Sequence, residues 1–206
     1  MILTYEVVMR MDKEQRTFQI KGLEIRQLAD QEETPQITGY GAVFNSPADI
    51  GGMFTEVIAP GAFQKALSRQ DDVRALFNHN WDYVLGRTRS GTLQLEEDDK
   101  GLKFTVTPPD TSWANDLRRS MERGDINQCS FGFNVVKDEW NYDTSPATRT
   151  IQEVELFEIS VVAFPAYEDT EASLVRSGDI YQRAKQKNEL RQKKQQLINK
   201  IQEAMK

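Results

Sequence analysis

The 206-residue chain carries one cysteine and one histidine. The lone cysteine, Cys129, excludes an intramolecular disulfide and any multi-cysteine zinc site. The lone histidine, His79, excludes His-pair metal motifs and every catalytic scheme that needs two imidazoles. No run of eighteen apolar residues occurs, so no transmembrane helix and no membrane partner is expected. The opening decapeptide is short in apolar length and carries Glu6, so it does not read as a secretory signal. An intracellular, reducing setting follows as the default. Gly39-Tyr40-Gly41 lacks the spacing of a dinucleotide fingerprint, and there is no Gly-Lys-Ser/Thr, His-Glu-x-x-His or Gly-x-Ser-x-Gly string. No internal repeat of solenoid length is present.

What is present suffices for one hydrophobic core, or one core with an appendage, without structural metal. The net charge of −6 argues against a general nucleic-acid binder. That charge is unevenly spread. Residues 181–206 hold eight Lys/Arg, two Asp/Glu and no Gly or Pro, a net of +6, so residues 1–180 carry −12. In the basic segment Leu190, Leu197, Ile201 and Ala204 form a narrow helical stripe. It reads as a solvated terminal helix, or as a helix that docks on an acidic or coiled-coil partner. Ser177-Gly178-Asp179 is the expected hinge, dividing a domain of residues 1–178 from a basic amphipathic tail of residues 179–206.

The body reads mostly as strand. Phe18, Ile20, Leu23 and Ile25 mark one strand region, and residues 37–44 another in which glycines admit a neighbouring backbone. Pro60-Gly61-Ala62-Phe63 opens a short helix, and Val73, Ala75, Phe77 and His79 alternate along a strand. Residues 93–95 and 102–106 flank a charged turn, and Asp110 or Thr111 caps a helix with Trp113, Leu117 and Met121 that stops at Gly124. Residues 128–137 and 150–164 complete the strands. About seven strands with two or three helices, and no regular βαβ alternation, predict an α+β fold: a mostly antiparallel, barrel-like core with flanking helices.

Three segments carry candidate chemistry. His79, at an expected strand end and flanked by Asn78 and Asn80, is placed to act as a general base; a plain surface or core-edge histidine is the alternative. In Cys129-Ser130-Phe131-Gly132-Phe133-Asn134, period two puts Ser130, Gly132 and Asn134 on one face and the aromatics on the other. Gly132 leaves room beside Ser130 for a substrate backbone; otherwise the face is a polar strip. Parity sends Cys129 to the aromatic side as a small buried hydrophobe, against a thiolate reading. In the third segment Glu153 and Glu155 alternate with Val154 and Leu156, whereas Glu158 shares parity with Leu156 and Val162. A carboxylate among apolar residues demands a partner. His79 is one; Arg87, Arg118 or Arg149 would make it a structural salt bridge.

Together with Gly39-Tyr40-Gly41-Ala42-Val43-Phe44, Phe54 to Phe63, Leu76-Phe77-Asn78-His79-Asn80, Leu85-Gly86-Arg87, Gly91-Thr92-Leu93 and Gly101-Leu102, these segments resemble, in order, the prohead (procapsid) maturation proteases of tailed bacteriophages. That serine peptidase family is distantly similar in fold to the herpesvirus assemblins. The resemblance covers about residues 20–175. It implies Ser130 as nucleophile, His79 as general base and Glu158 as acidic third member, with Glu153 or Glu155 as lesser candidates. It implies no cofactor or metal. The implied substrates are scaffold protein, the scaffold-like segment of the major capsid protein and the protease itself, cleaved inside the assembling prohead in the host cytoplasm. Self-association is compatible with it, and nucleic acid is not required. The assemblins use a second histidine as third member, which this chain lacks. A catalytically inactive assembly or scaffold protein on the same fold is the main competing reading, and a carboxylate-pair glycan hydrolase a further one.

Overall fold

The computed structural model describes residues 14–18, 24–26, 35–163 and 171–204. Eleven strands and three helices are seen among them: β1 (Glu14–Phe18), β2 (Glu24–Arg26), β3 (Gln36–Val43), β4 (Ala48–Ile50), β5 (Phe54–Ile58), α1 (Gln64–Ser68), β6 (Arg74–Phe77), β7 (Asn80–Arg87), β8 (Leu93–Glu97), β9 (Gly101–Val106), α2 (Ser112–Glu122), β10 (Gln128–Asn141), β11 (Ala147–Val162) and α3 (Glu171–Ala204). The fold is α+β, as the strand and helix pattern predicts. Its sheets are open rather than closed into a barrel. One has seven strands in the order β1-β10-β11-β5-β4, with β6 also on β11 and β7 on β6; the other is antiparallel, β2-β3-β9-β8. Ile20 and Leu23 of the first expected strand region lie outside the described residues.

The long hairpin of β10 and β11 organises the larger sheet. Its strands run 14 and 16 residues, and its second strand is shared along its length. β5 pairs in parallel with Ala147 to Ile151 of β11, and β6 pairs in parallel with Glu158 to Val161. One edge therefore serves two strands that arrive from different parts of the chain, which is why strand counting from local pattern falls short.

A single apolar cluster joins the two sheets. It takes Ile37, Ala42, Phe104 and Val106 from the small sheet and Phe131, Phe133, Leu156 and Ile159 from the large one. α1 contributes Ala66, and α2 contributes Leu117 and Met121. Phe131 stacks on Phe133 with centroids 4.6 Å apart and meets Phe63 edge-on at 5.6 Å. Each buried phenyl stabilises the fold by about 1.5–3 kcal/mol relative to exposure. β3 crosses this core closely. A Cβ at Gly41 would lie 3.1 Å from Ile159 Cδ1, whereas the close backbone neighbour of this strand is Gly101, where a Cβ would lie 2.0 Å from Ala42 O.

The charged turn between β8 and β9 is internally satisfied. Asp98 accepts backbone N–H bonds from Lys100 and Gly101 and a 2.7 Å bond from the Tyr40 hydroxyl. Glu97 accepts the N–H groups of Gly61 and Phe63 ahead of α1. Arg149, buried in β11, donates to Glu14, Glu56 and Asp138, tying β1, β5 and β10 to the hairpin.

α3 differs from the expected hinge and tail. It runs unbroken through Ser177-Gly178-Asp179, and Ser177 is buried. Tyr181 stacks on Phe54 at 6.0 Å and packs against Trp140 at 5.7 Å, which fastens this part of the helix to the body. From residue 189 to residue 203 every position is exposed. Free helix thus begins about ten residues beyond the expected hinge, because aromatic packing outweighs the local glycine.

Candidate active site

The site is assembled where the β6–β7 turn meets the end of β11. Sequence alternation carries a strand through His79, but β6 ends at Phe77. Asn78 and His79 form a two-residue hairpin turn between the paired Phe77 and Asn80, with φ of +53° and +57°. This left-handed pair matches the right-handed twist of the flanking strands, and asparagine suits it well. A histidine there is less usual, and the turn is clamped from outside. Asn78 N donates to Val161 O at 2.9 Å, Ala163 N donates to Asn78 Oδ1 at 2.9 Å, and His79 N donates to Ser160 Oγ at 3.2 Å.

Glu158 reaches this place through a bulge. Gly132 opposes Glu158 while Phe133 opposes Leu156, so Phe157 is an extra residue in β11. The bulge inverts strand parity. Val154 and Leu156 before it, and Ile159 and Val161 after it, all join the core, whereas Glu158 and Ser160 take the other face. The parity that groups Glu158 with Leu156 is therefore corrected. Directly opposed residues on paired strands share a face. Ser130 faces Ser160, and Gly132 faces Glu158, so serine, carboxylate and turn histidine converge on one side of the sheet.

The contacts there are short and directional. His79 Nδ1 lies 2.6 Å from Glu158 Oε1, and Ser160 Oγ donates to Glu158 Oε2 at 2.5 Å. An ionised carboxylate only accepts, so in the neutral imidazole Nδ1 carries the proton and Nε2 the lone pair. Nε2 is buried and makes no hydrogen bond among the described residues, including none to Ser130. Ser130 and Ser160 are fully buried, Glu158 is 3% exposed, and the His79 side chain 16%.

Gly132 has a different use from the one the strand pattern suggests. A Cβ there would sit 2.6 Å from Glu158 Oε1 and 3.1 Å from its Cγ. The vacancy beside Ser130 is filled by the Glu158 carboxylate. Ser130 and Gly132 are one two-residue step apart, roughly 6.6 Å along a strand.

The other sequence candidates fall elsewhere. Glu153 pairs with Lys65 at 2.6 Å, and Glu155 accepts from Asn134 at 3.4 Å. Arg87 pairs with Asp72, Arg118 with Glu122, and Arg149 with its three carboxylates, so none is the partner of Glu158. Cys129 points into the core beside Val161, fully buried, and burial pushes its thiol far above the ordinary range. A thiolate at neutral pH is thereby disfavoured. At the end of β11, Ala163 N is committed to Asn78 Oδ1, and residues 164–170 lie outside the described residues. Ser160 was legible only as Glu-x-Ser spacing, and its importance depends on the bulge.

A serine, an imidazole and a carboxylate thus lie on one sheet face, the carboxylate bound to Nδ1 of the imidazole. Residues 21–185 match the family described as caudovirus prohead serine protease, and the chain belongs to that family. Over 145 residues it is 37% identical to the prohead protease of Enterobacteria phage HK97, covering 68% of this chain and 60% of that protein. The chain thus spans about three fifths of that relative's length. It is also similar to the solved bacteriophage T4 capsid assembly protease, with a TM-score of 0.48 and 10% identity over 74% of this chain and 98% of that one.

Proposed function

We propose that the chain is a serine endopeptidase of phage head maturation, with Ser130 as nucleophile, His79 as general base and Glu158 as its charged partner. The observation that carries this reading is the 2.6 Å contact between Glu158 and Nδ1 of the only histidine, with Nε2 unpartnered among the described residues on the face that Ser130 shares. In the first step the Ser130 hydroxyl proton passes to Nε2 as Oγ attacks a peptide carbonyl. Glu158 stabilises the imidazolium that forms. That proton then goes to the leaving amine, giving an acyl-serine. Water, deprotonated by His79, releases the acid and restores the serine. No metal or cofactor enters these steps.

Family membership supports capsid and scaffold proteins, and the chain itself, as substrates inside the assembling prohead. The exposed basic end of α3, within the tail of residues 179–206, would bring the enzyme to an acidic scaffold and be removed by self-cleavage. One observation favours a second reading, a catalytically inactive assembly protein: Ser130 has no solvent exposure, so acylation requires its cover to move. A serine-directed fluorophosphonate separates the two. Labelling at Ser130 that is lost in His79→Ala supports the peptidase; a folded wild type that cleaves neither itself nor capsid substrate, and takes no label, refutes it. Mass spectrometry should find self-truncation in wild type and none in Ser130→Ala, whereas Cys129→Ala should keep processing.

A further inference from the structure

We propose that Ser160 is a positioning residue for the same site, resting on the catalytic reading above. Its hydroxyl is fully buried and uses both of its capacities on the His79–Glu158 pair. It donates to Glu158 Oε2 at 2.5 Å and accepts the backbone N–H of His79 at 3.2 Å. The ring of His79 is meanwhile held by the other oxygen of the same carboxylate, 2.6 Å from Nδ1. Backbone and side chain of the histidine are therefore tied to one carboxylate, directly through the ring and through Ser160 at the main chain.

The geometry requires such a tie. His79 sits at φ +57° in a two-residue turn, where a small rotation of the peptide swings the ring away. A carboxylate held at only one oxygen can pivot about its Cγ–Cδ bond. With Oε2 engaged by Ser160, Oε1 is presented to Nδ1, which keeps the lone pair on Nε2. Ser160 does not touch the reacting atoms. Its effect passes through Glu158 and the His79 backbone, and alanine at this position leaves a buried carboxylate oxygen and a backbone N–H each without that partner.

The test uses the full chain with Ser160→Ala and with Ser160→Cys, which keeps the shape but replaces a strong donor by a weak one. Rates are read on p-nitrophenyl acetate, and the imidazole by proton NMR, where one histidine gives one downfield Nδ1–H signal. Both variants should lose about 10- to 100-fold in kcat with KM within about twofold, and their Nδ1–H signal should broaden through exchange. A folded variant with wild-type kcat overturns the proposal, as does a reduced kcat with an unchanged Nδ1–H signal. If both variants misfold, the wild type decides. Its buried Ser160 hydroxyl proton should exchange slowly and show a nuclear Overhauser contact to the His79 amide, and absence of that contact refutes the role. Ser130→Ala separates the two failures: esterase activity surviving in it sinks the catalytic reading, while its Nδ1–H signal still reports on Ser160.

Discussion

Gly132→Ala adds one methyl group to a strand and should disable the site. The new Cβ would meet Glu158 Oε1 at 2.6 Å, Cγ at 3.1 Å and Cδ at 3.2 Å. Ordinary van der Waals contact begins at 3.4 Å, about 0.8 Å farther out. The far end of a flexible side chain would swing aside cheaply, but this carboxylate is held at both oxygens, by His79 Nδ1 at 2.6 Å and Ser160 Oγ at 2.5 Å. Any retreat from the methyl stretches one or both. Hydrogen bonds to a charged group contribute about 1.5–3 kcal/mol each, and overpacking a tight site costs about 1–3 kcal/mol. Losing part of one bond and relieving part of the overlap gives an expected destabilisation of about 2 kcal/mol. Displacing the carboxylate by half an ångström or more should lower kcat by roughly 100-fold. Urea unfolding measures the first and hydrolysis of p-nitrophenyl acetate the second. A double-mutant cycle gives the sharper test: in a Glu158→Ala background the same methyl should cost little, so the two substitutions should be strongly coupled. Additive effects, or a Gly132→Ala protein with wild-type stability and rate, would refute the claim that this glycine exists to seat Glu158.

Further outcomes are expected elsewhere in the molecule. Arg149→Leu leaves the buried Glu14 and Glu56 without their cation beside the half-buried Asp138, which should cost about 3–5 kcal/mol. It should also speed amide exchange in β1, and unchanged denaturant midpoints would count against it. The bond to Asp98, followed by burial and the Asp98 charge, pushes the Tyr40 hydroxyl up to about 12. A raised folded-state pKa gives stability that is complete below the unfolded value near 10 and lost as pH climbs toward 12. Tyr40→Phe should remove that part of the alkaline loss, and identical pH–stability curves would contradict it. Deleting residues 189–206 should leave Tm unchanged, because residues 189–203 are exposed. Deletion from residue 181 removes the Tyr181 contacts with Phe54 and Trp140 and should lower Tm. Equal Tm values for the two truncations would show that α3 is not fastened there.

Much of the local structure was legible because it depends on short-range rules. Gly124 past the end of a periodic stripe stops α2 where expected, with φ of +83°. The polar–aromatic alternation of residues 129–134 put Ser130 and Cys129 on opposite faces, as the register has them. The hinge at Gly178 was misread because glycine is a weak breaker when its neighbours pack, and the turn at His79 because alternation alone does not reveal where a hairpin folds back.

By itself the sequence determined the inventory. With one histidine in 206 residues, any imidazole chemistry belongs to His79, and any partner that charges it must be a carboxylate. The apolar periodicity likewise settled an α+β body, since burying alternating faces is a property of the chain's own pattern. Only the tertiary structure decided the geometry. The extra residue at Phe157 that turns Glu158 to the face of Ser130 depends on the register of β11 against β10, and the docking of the β6–β7 turn depends on pairing of β6 with β11, segments about eighty residues apart. Register is set by which side chains the assembled sheet buries, and a one-residue bulge inverts it. No local rule carries that information, so the sequence offered His79 and three arginines as partners of the carboxylate, and the register decided among them.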